Sequence, residues 1–211
     1  MQDTFPHLKI IVVAGTSSNS GKTTLVCELL RHLTADEPWE AIKLSRGHYR
    51  SCGKDPQACC VSGLLGEHAV IRSGRAETYT CGKDTGRFWD AGASNVHWVI
   101  ASDEQVDDGI RGALARVATR GVIIEGTSVL RYLDPAFAIL AVSETEKRVK
   151  ASARWAMEAG KLNALYVADA NTWPRDEPLM HLPAFDSRQP EPLLAALAQS
   201  DLRSRQAPLP L

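Results

Sequence analysis

The sequence predicts an α/β protein of three layers, in which helices cover both faces of a doubly wound, mostly parallel sheet. Two observations favour this fold. Apolar stretches of strand length alternate with amphipathic stretches of helix length, which is the pattern of repeated βαβ units. A glycine-containing loop, residues 15–24, joins the first apolar stretch to the first amphipathic one. Ligands bind such sheets at the carboxyl ends of the strands, and the motifs described below follow strands.

The loop at residues 15–24 has the composition of a phosphate-binding turn, Gly-Thr-Ser-Ser-Asn-Ser-Gly-Lys-Thr-Thr. Glycines let the backbone curl around an anion, and the following helix adds the positive end of its dipole. Lys22 is expected to reach the β- and γ-phosphates, and the Thr23 hydroxyl to bind Mg²⁺. The predicted nucleotide-binding residues of the loop are Gly15, Thr16, Ser17, Ser18, Asn19, Ser20, Gly21, Lys22, Thr23 and Thr24.

The spacing of this loop differs from the standard one, because five residues rather than four separate Gly15 from Gly21 and Thr16 takes the usual glycine position. The displaced Gly-Thr pair resembles the loop of dethiobiotin synthetase, the cobyrinic acid diamide synthases and their relatives among the P-loop NTPases. That resemblance implies binding of Mg-ATP or Mg-GTP and leaves the reaction open. A glycine-rich turn without a ligand is the alternative.

The strands are predicted from short apolar runs bounded by turn residues. After the first run, residues 8–14, they fall at residues 40–44, 96–101, 122–124, 136–142 and 164–167. Short strands at residues 69–71 and 77–80 flank the turn formed by residues 72–75, which predicts a hairpin.

The helices are predicted from apolar positions three and four residues apart. In the first, Leu25, Leu29 and Leu33 form one stripe, and Pro38 closes the segment. The others are predicted at residues 56–65, 84–93, 104–118, 144–159 and 191–199. The basic residues Lys147, Arg148 and Lys150 are interpreted as the solvated face of the helix at residues 144–159.

Two charged residues follow the central strands. Glu125 ends an apolar run and is the second expected Mg²⁺ ligand, opposite Thr23. Lys43 emerges from the second strand, where it is expected to place a second ammonium over the phosphates or to activate a substrate group. With Lys22, these two form the expected catalytic set. A surface carboxylate at a strand end and a solvated lysine are the alternatives.

A further charged group opens the helix predicted at residues 84–93. Lys83, Asp84 and Arg87 lie together at its start, where the helix dipole favours an anionic or phosphorylated ligand. Composition alone favours a simpler interpretation, in which Asp84 caps the helix and the two basic residues are solvated.

The order of these motifs resembles the molybdopterin-guanine dinucleotide biosynthesis adaptor family over about residues 8–143. The matching segments are residues 15–23, Ile42-Lys43 with His48, residues 82–85 with Arg87 and 91–93, Ala101-Ser102, and Glu125-Gly126. The resemblance implies a nucleotide-binding accessory protein, often a homodimer, that hydrolyses nucleotide weakly and works with a partner in assembling the molybdenum cofactor.

Four cysteines, Cys52, Cys59, Cys60 and Cys81, surround the segment after the second strand. They offer ligands for Zn²⁺ or an iron–sulfur cluster, but their spacing is irregular, and buried or idle thiols are the favoured interpretation. Cys27 lies on the apolar side of the first helix and is expected in the core.

Length and composition narrow the class of protein. The chain has 211 residues, 44% of them hydrophobic, which suits one domain spanning residues 1–211 with an insertion at residues 46–82. A net charge of −1 with mixed signs gives no patch for nucleic acid or a membrane surface. With five cysteines and no signal-peptide pattern, the expected location is the cytoplasm.

Three functions therefore remain open from the sequence. The first is the NTP-binding accessory protein. The second is an ATP-dependent enzyme that activates a carboxylate, as in dethiobiotin synthetase, and the third is a metal-insertion GTPase with a thiolate site and a metalloenzyme partner. The base of the bound nucleotide is also undecided. The guanine-reading Asn-Lys-x-Asp pattern does not occur in the chain, which disfavours a Ras-like GTPase but does not exclude GTP.

Overall fold

The structure of the protein is a computed structural model that describes residues 5–47, 64–143, 148–169 and 181–205, with side chains described as far as residue 199. In these ranges the strands are β1 Lys9–Gly15, β2 Trp39–Arg46, β3 Val70–Ser73, β4 Asn95–Ala101, β5 Gly121–Glu125, β6 Phe137–Ala141, β7 Ala164–Val167 and β8 Ala184–Asp186.

Helices lie between several of these strands and after the last one. They are α1 Lys22–Leu33, α2 Arg75–Thr78, α3 Asp84–Asp90, α4 Val106–Leu114, α5 Ala151–Glu158 and α6 Glu191–Arg205, and a 3-10 turn covers Thr127–Arg131. Among the described residues, no helix combines the length and the apolar character that crossing a bilayer requires.

The described strands form one eight-stranded sheet in the order β3-β4-β2-β5-β1-β6-β7-β8. All neighbours are parallel except β3, which runs antiparallel to β4 at the edge. The predicted mostly parallel α/β fold is confirmed. Because β1 lies inside the sheet, its carboxyl end and the loop that follows are bordered by the ends of β5 and β6.

The central strand β1 is apolar on both faces, as expected for a parallel strand covered on two sides. Ile11 and Val13 pack in one core cluster with the buried side of α1 and with Leu193 of α6. Val12 packs in the other cluster with Ile110 of α4 and with buried residues of α5. The two clusters establish the predicted three layers.

The strand order decides which charged residues meet. β5 lies between β2 and β1, and its last residue, Glu125, is in register with Lys43 of β2 and with Val13 of β1. The phosphate loop begins two residues after Val13. Residues that are far apart in the sequence therefore meet at one edge of the sheet.

The predicted hairpin at residues 69–80 is wrong in its second half. β3 pairs with β4, and the residues after it form the short helix α2. Gly74, at φ 84°, turns the chain out of the sheet. The Thr78 hydroxyl then donates to the Gly74 carbonyl at 2.7 Å, which stabilises a helical turn rather than a second strand.

The helix predicted at residues 144–159 begins later than expected, at Ala151, and residues 148–150 are not helical. The reason lies in Lys150, whose backbone N–H donates to the Thr16 carbonyl at 2.9 Å instead of to a helical partner. α4 is also shorter than predicted and α6 is longer, and β8 was not predicted. The helix at residues 56–65 falls almost wholly outside the described residues.

Candidate functional site

The phosphate loop takes its shape from three residues. Gly21 has φ 84° and Asn19 has φ 60°, and both are left-handed conformations that reverse the direction of the backbone amides. A Cβ on Gly15 would lie 2.3 Å from Ser20 Oγ and 2.7 Å from Lys22 Cδ. The loop therefore folds back over the end of its own strand, which requires glycine at position 15.

Both neighbouring strands hold the start of the loop. After β5, the Thr127 hydroxyl accepts the Gly15 N–H at 3.0 Å and donates to the Gly15 carbonyl at 3.2 Å. After β6, the Ser143 N–H donates to the Thr16 hydroxyl at 3.0 Å, and the Thr16 N–H donates to the Ala141 carbonyl at 3.1 Å. The loop is thus fixed in place by contacts with chain segments beyond its own strand and helix.

The Lys22 ammonium lies within the curve of the loop. It donates to the Ser17 carbonyl at 2.7 Å and to Ser20 Oγ at 3.2 Å. Burial lowers the pKa of Lys22 from 10.5 to about 8, and the positive charges of Lys150 and Lys43 add to the effect. An anion in the loop would reverse this shift, because it would stabilise the charged ammonium.

Opposite the loop, Thr23 and Glu125 are in direct contact. The Thr23 hydroxyl, at the first turn of α1, donates to Glu125 Oε2 at 2.9 Å. The Glu125 side chain is only 2% exposed, and its other oxygen accepts a short hydrogen bond from the Lys43 ammonium. The two residues that the sequence suggested as Mg²⁺ ligands are therefore adjacent.

Lys43 bridges two carboxylates, since it also pairs with Asp84 at 2.7 Å. Burial alone lowers the pKa of Lys43, but the carboxylates of Glu125 and Asp84 outweigh burial and raise it. Burial likewise raises the pKa of Asp84, but the Lys43 charge and hydrogen bonds from Lys43 and Thr23 outweigh it and lower the pKa. Lys43 is thus charged, and Asp84 is ionised.

These contacts exclude two of the simpler interpretations that the sequence allowed. Lys43 is not a solvated lysine, because its side chain is 15% exposed and lies between two carboxylates. Asp84 is the first residue of α3 and makes no side-chain cap; its carboxylate points to Lys43 instead. Of the other two charges, Arg87 donates to Thr24 Oγ1 at 3.2 Å, whereas Lys83 is exposed and contributes backbone hydrogen bonds.

Lys150 is a neighbour of the loop that the sequence did not suggest. Its ammonium donates to Ser18 Oγ at 3.2 Å. The periodicity of residues 144–159 had placed it on a solvated helix face, whereas it lies just before α5 and contacts the phosphate loop. Thr127 and Ser143 were also missed. The signal available for Thr127 was its position just after Glu125-Gly126.

A pocket of about 250 Å³ opens beside the loop at the carboxyl ends of β6 and β7. It is lined by Asn19, Ser20, Gly21, Val142, Ser143, Tyr166, Val167, Ala168 and Ser187. Tyr166 closes one side, with its hydroxyl donating to Glu28 Oε2 at 2.5 Å and to the Ser187 carbonyl at 3.4 Å. Burial and the Glu28 carboxylate raise the pKa of Tyr166, which keeps the phenol protonated. The pocket offers room for a small organic group next to the phosphate loop.

The cysteine hypothesis gains no support from the described residues. Cys52, Cys59 and Cys60 fall outside them, and Cys81 is exposed. Within the described ranges, no group of three His, Cys, Asp or Glu residues is arranged to hold a metal ion. Cys27 is 1% exposed, and its thiol packs in the core as predicted.

Comparison with known proteins gives likenesses of fold. No protein-family model matches the chain, and no curated protein does. Among solved structures, LpxK from Aquifex aeolicus in complex with ATP is 22% identical over 85% of this chain and 53% of that one, with a TM-score of 0.48. A MobB homologue from Bacillus stearothermophilus is 17% identical over 93% and 99% of the two chains, with a TM-score of 0.46.

A third similar structure is the signal recognition particle receptor FtsY from Elizabethkingia anophelis, at 14% identity over 79% of this chain and a TM-score of 0.39. The chain spans 53% of both FtsY and LpxK, about half of their length. Because one fold carries many functions, the function of this chain has to be argued from its own site.

Proposed function

We propose that the protein binds a Mg²⁺-nucleoside triphosphate, ATP or GTP, and hydrolyses it slowly as an accessory protein of cofactor assembly. One observation supports this more than any other. Thr23 of the phosphate loop and Glu125 of β5, which are 102 positions apart, share a hydrogen bond of 2.9 Å directly beside the Lys22 loop. A phosphate cradle with a hydroxyl and a carboxylate at its edge is the arrangement that triphosphate chemistry requires.

The loop supplies the phosphate-binding half. Asn19 and Gly21 have left-handed backbone conformations, which are typical of loops whose successive amides surround an anion, and α1 begins at Lys22 with the positive end of its dipole. The Lys22 ammonium, whose pKa is lowered, lies in the same loop, so both the backbone amides and this ammonium would stabilise a bound anion. The pocket bounded by Tyr166 adjoins the same amides and suits the nucleoside.

The chemistry of the remaining donors fits Mg²⁺. The Thr23 hydroxyl and the Glu125 carboxylate are hard oxygen ligands of the kind that Mg²⁺ takes together with phosphate oxygens. Thr23 and Glu125 would hold the ion, which would supply positive charge that neutralises the transferring group. Lys43, already charged and paired with Glu125, keeps a second positive group next to that position.

Slow turnover follows from the same contacts. A base that activates water needs a carboxylate whose pKa is near the working pH, whereas the Lys43 ammonium lowers the pKa of Asp84. Glu125 is occupied by Thr23 and Lys43. We infer that a partner protein raises the rate by rearranging Lys43, and the resemblance of the motifs to the molybdopterin-guanine dinucleotide adaptor family favours a partner in molybdenum-cofactor assembly.

The direct test is calorimetric titration of the purified full chain with Mg·ATP and Mg·GTP in parallel. We expect one site per chain for at least one of them, with micromolar affinity as an order of magnitude. Binding must weaken when the diphosphate or the nucleoside alone replaces the triphosphate. Absence of binding by both triphosphates would contradict the proposal.

Replacing Glu125 with glutamine tests the Mg²⁺ half of the site. Glutamine keeps the size of the side chain but removes its charge, so we expect hydrolysis to fall about 10- to 100-fold. Affinity for the triphosphate without Mg²⁺ should stay within about twofold, because Glu125 does not hold the phosphates. Steady-state phosphate release and a metal-free titration measure the two quantities. Exposed Glu104 provides the matched control, Glu104→Gln, and unchanged turnover in Glu125→Gln would remove the assigned role.

A further inference from the structure

We propose that Lys150 is a second phosphate-binding lysine of the loop, in addition to Lys22. This inference rests on the nucleotide binding proposed above and adds a residue to the same site. Its starting point is the contact of the Lys150 ammonium with Ser18 Oγ at 3.2 Å, in the middle of the phosphate loop.

The position of Lys150 is fixed by its backbone. Its N–H donates to the Thr16 carbonyl at 2.9 Å, just as the Ser143 N–H donates to the Thr16 hydroxyl at 3.0 Å. The chain that leaves β6 and the chain that enters α5 therefore both dock on the first residues of the loop. Lys150 is itself exposed, but it has a backbone anchor on the loop that a lysine on a helix face lacks. The hydrogen bond from the Lys150 N–H to Thr16 therefore holds the Lys150 side chain beside the loop.

The charges around the loop favour an anion between the two lysines. The Lys22 ammonium contacts the Ser17 carbonyl and the Lys150 ammonium contacts the Ser18 hydroxyl, so the two charges lie against neighbouring residues of the loop. On the other side of the loop, the carboxylates of Glu125 and Asp84 are held by Lys43. A phosphate in the loop would attract both ammonium groups and relieve their mutual repulsion.

A purely structural role for Lys150 is the competing explanation. In that case the lysine braces the loop through Ser18, and removing the Ser18 hydroxyl should weaken nucleotide binding as much as removing the ammonium. If Lys150 contacts phosphate, loss of the ammonium weakens binding more than loss of the Ser18 hydroxyl does. The pair of variants Lys150→Met and Ser18→Ala separates the two roles, and Lys150→Arg asks whether another cation suffices.

The experiment measures the affinity of the full-length wild type and these variants for ATP, GTP and inorganic tripolyphosphate, at low and at high salt. We expect Lys150→Met to lose about tenfold affinity for all three at low salt, because one charge-assisted contact is removed. Lys150→Arg should keep most of the affinity, and Ser18→Ala should lose clearly less affinity than Lys150→Met. The affinity of Lys150→Met should also depend less on salt, because one screened charge pair is missing.

Lys161→Met is the matched control, since Lys161 pairs with Asp134 on the surface and its loss changes the net charge equally. Wild-type affinity in Lys150→Met for all three probes would overturn the inference and leave nucleotide binding standing. An equal loss in Ser18→Ala or in Lys161→Met would also overturn it, in favour of a brace or of net charge. If the wild type binds none of the probes, the proposed function fails, and the inference fails with it.

Discussion

Replacing Lys22 with alanine is expected to lower nucleotide affinity at least about 100-fold, a larger effect on binding than that expected from any other single substitution in the loop. The ammonium is the most enclosed cation of the loop, and it is held there by the Ser17 carbonyl and Ser20 Oγ at 2.7 and 3.2 Å. Each charge-assisted hydrogen bond to phosphate contributes about 1.5–3 kcal/mol, and the lysine can donate more than one. Calorimetric titration measures the loss.

The fold of Lys22→Ala should be retained. Among the described residues, the ammonium donates only to atoms of its own loop, and both core clusters consist of other residues. Removing a half-buried ammonium with a lowered pKa also removes a desolvated charge, so the free energy of unfolding should change by less than about 1 kcal/mol. Lys161→Ala serves as the surface control. Unchanged affinity for both ATP and GTP in Lys22→Ala would contradict the nucleotide-binding proposal.

The lowered pKa of Lys22 allows nucleotide binding by the wild type to be followed through proton uptake as well. At pH 8.5 a lysine with a pKa of about 8 is mostly neutral, whereas phosphate in the loop would raise the pKa and restore the charge. Binding should therefore take up roughly three-quarters of a proton per nucleotide at this pH. Calorimetric titrations in two buffers of different ionisation enthalpy detect this proton uptake, because the buffer supplies the proton. The apparent binding enthalpy is therefore more positive in the buffer with the larger ionisation enthalpy. Lys22→Ala should show no such difference.

The residues that the sequence correctly suggested as neighbours belong to short sequence patterns, a loop motif and a strand end. Lys22 and Thr23 belong to one loop motif, and Glu125 ends an apolar strand that had to lie within the sheet. The pairing of Lys43 with Glu125 required the strand order, in which β5 lies beside β2, and no local pattern contains that order. The sequence therefore predicted the members of the site better than their contacts.

The missed residues are those whose role depends on β6. This strand lies next to β1 although more than a hundred residues separate the two, and the chain after it reaches the phosphate loop through Ser143 and Lys150. The helical periodicity of residues 144–159 suggested a continuous helix, but the hydrogen bond from Lys150 N–H to Thr16 delays the helix to Ala151. Tertiary contacts outweighed a valid local preference there.

Replacing Glu40 with alanine is expected to cost about 3–5 kcal/mol of unfolding free energy, a far larger loss of stability than that expected for Lys22→Ala. Glu40 is 1% exposed at the beginning of β2. Its Oε1 accepts the N–H groups of Ala118 and Thr119 at 2.7 and 3.0 Å, ahead of β5. Its Oε2 lies 2.7 Å from Nε2 of His97, and that histidine is itself 1% exposed. Alanine would leave the buried His97 ring and the partly buried backbone amides of Ala118 and Thr119 without this acceptor.

Because Glu40 is ionised in the folded protein, the free energy of unfolding depends on pH. Burial alone raises the pKa of Glu40, but hydrogen bonds from His97 and from the Ala118 and Thr119 amides outweigh burial and lower the pKa below 4.5. The group therefore stabilises the fold above the pKa of the unfolded chain, and this contribution is lost as the pH falls through the lower folded value. The stability of Glu40→Ala should consequently depend less on pH below about 4.5 than that of the wild type.

Glu40→Gln separates the loss of charge from the loss of the contacts. The glutamine oxygen can still accept from the two backbone amides, and its amide group can donate to Nε2 if the proton of His97 moves to Nδ1. Ser73 Oγ lies 2.8 Å from Nδ1 and can accept that proton in a hydrogen bond. Glu40→Gln should therefore lose about 1–2 kcal/mol, well below the loss in Glu40→Ala.

Denaturant unfolding of the two variants, with exposed Glu37→Ala as the control, measures these differences. For a domain of this size, the loss in Glu40→Ala corresponds to a melting temperature roughly 10 °C lower. The nucleotide affinity of the folded fraction should not change, because Glu40 lies at the amino end of β2 and the phosphate loop lies at the carboxyl end of β1. Equal stability of Glu40→Ala and Glu37→Ala would show that the buried contacts of Glu40 contribute nothing net. A parallel loss of nucleotide binding would show instead that the two ends of the sheet are coupled.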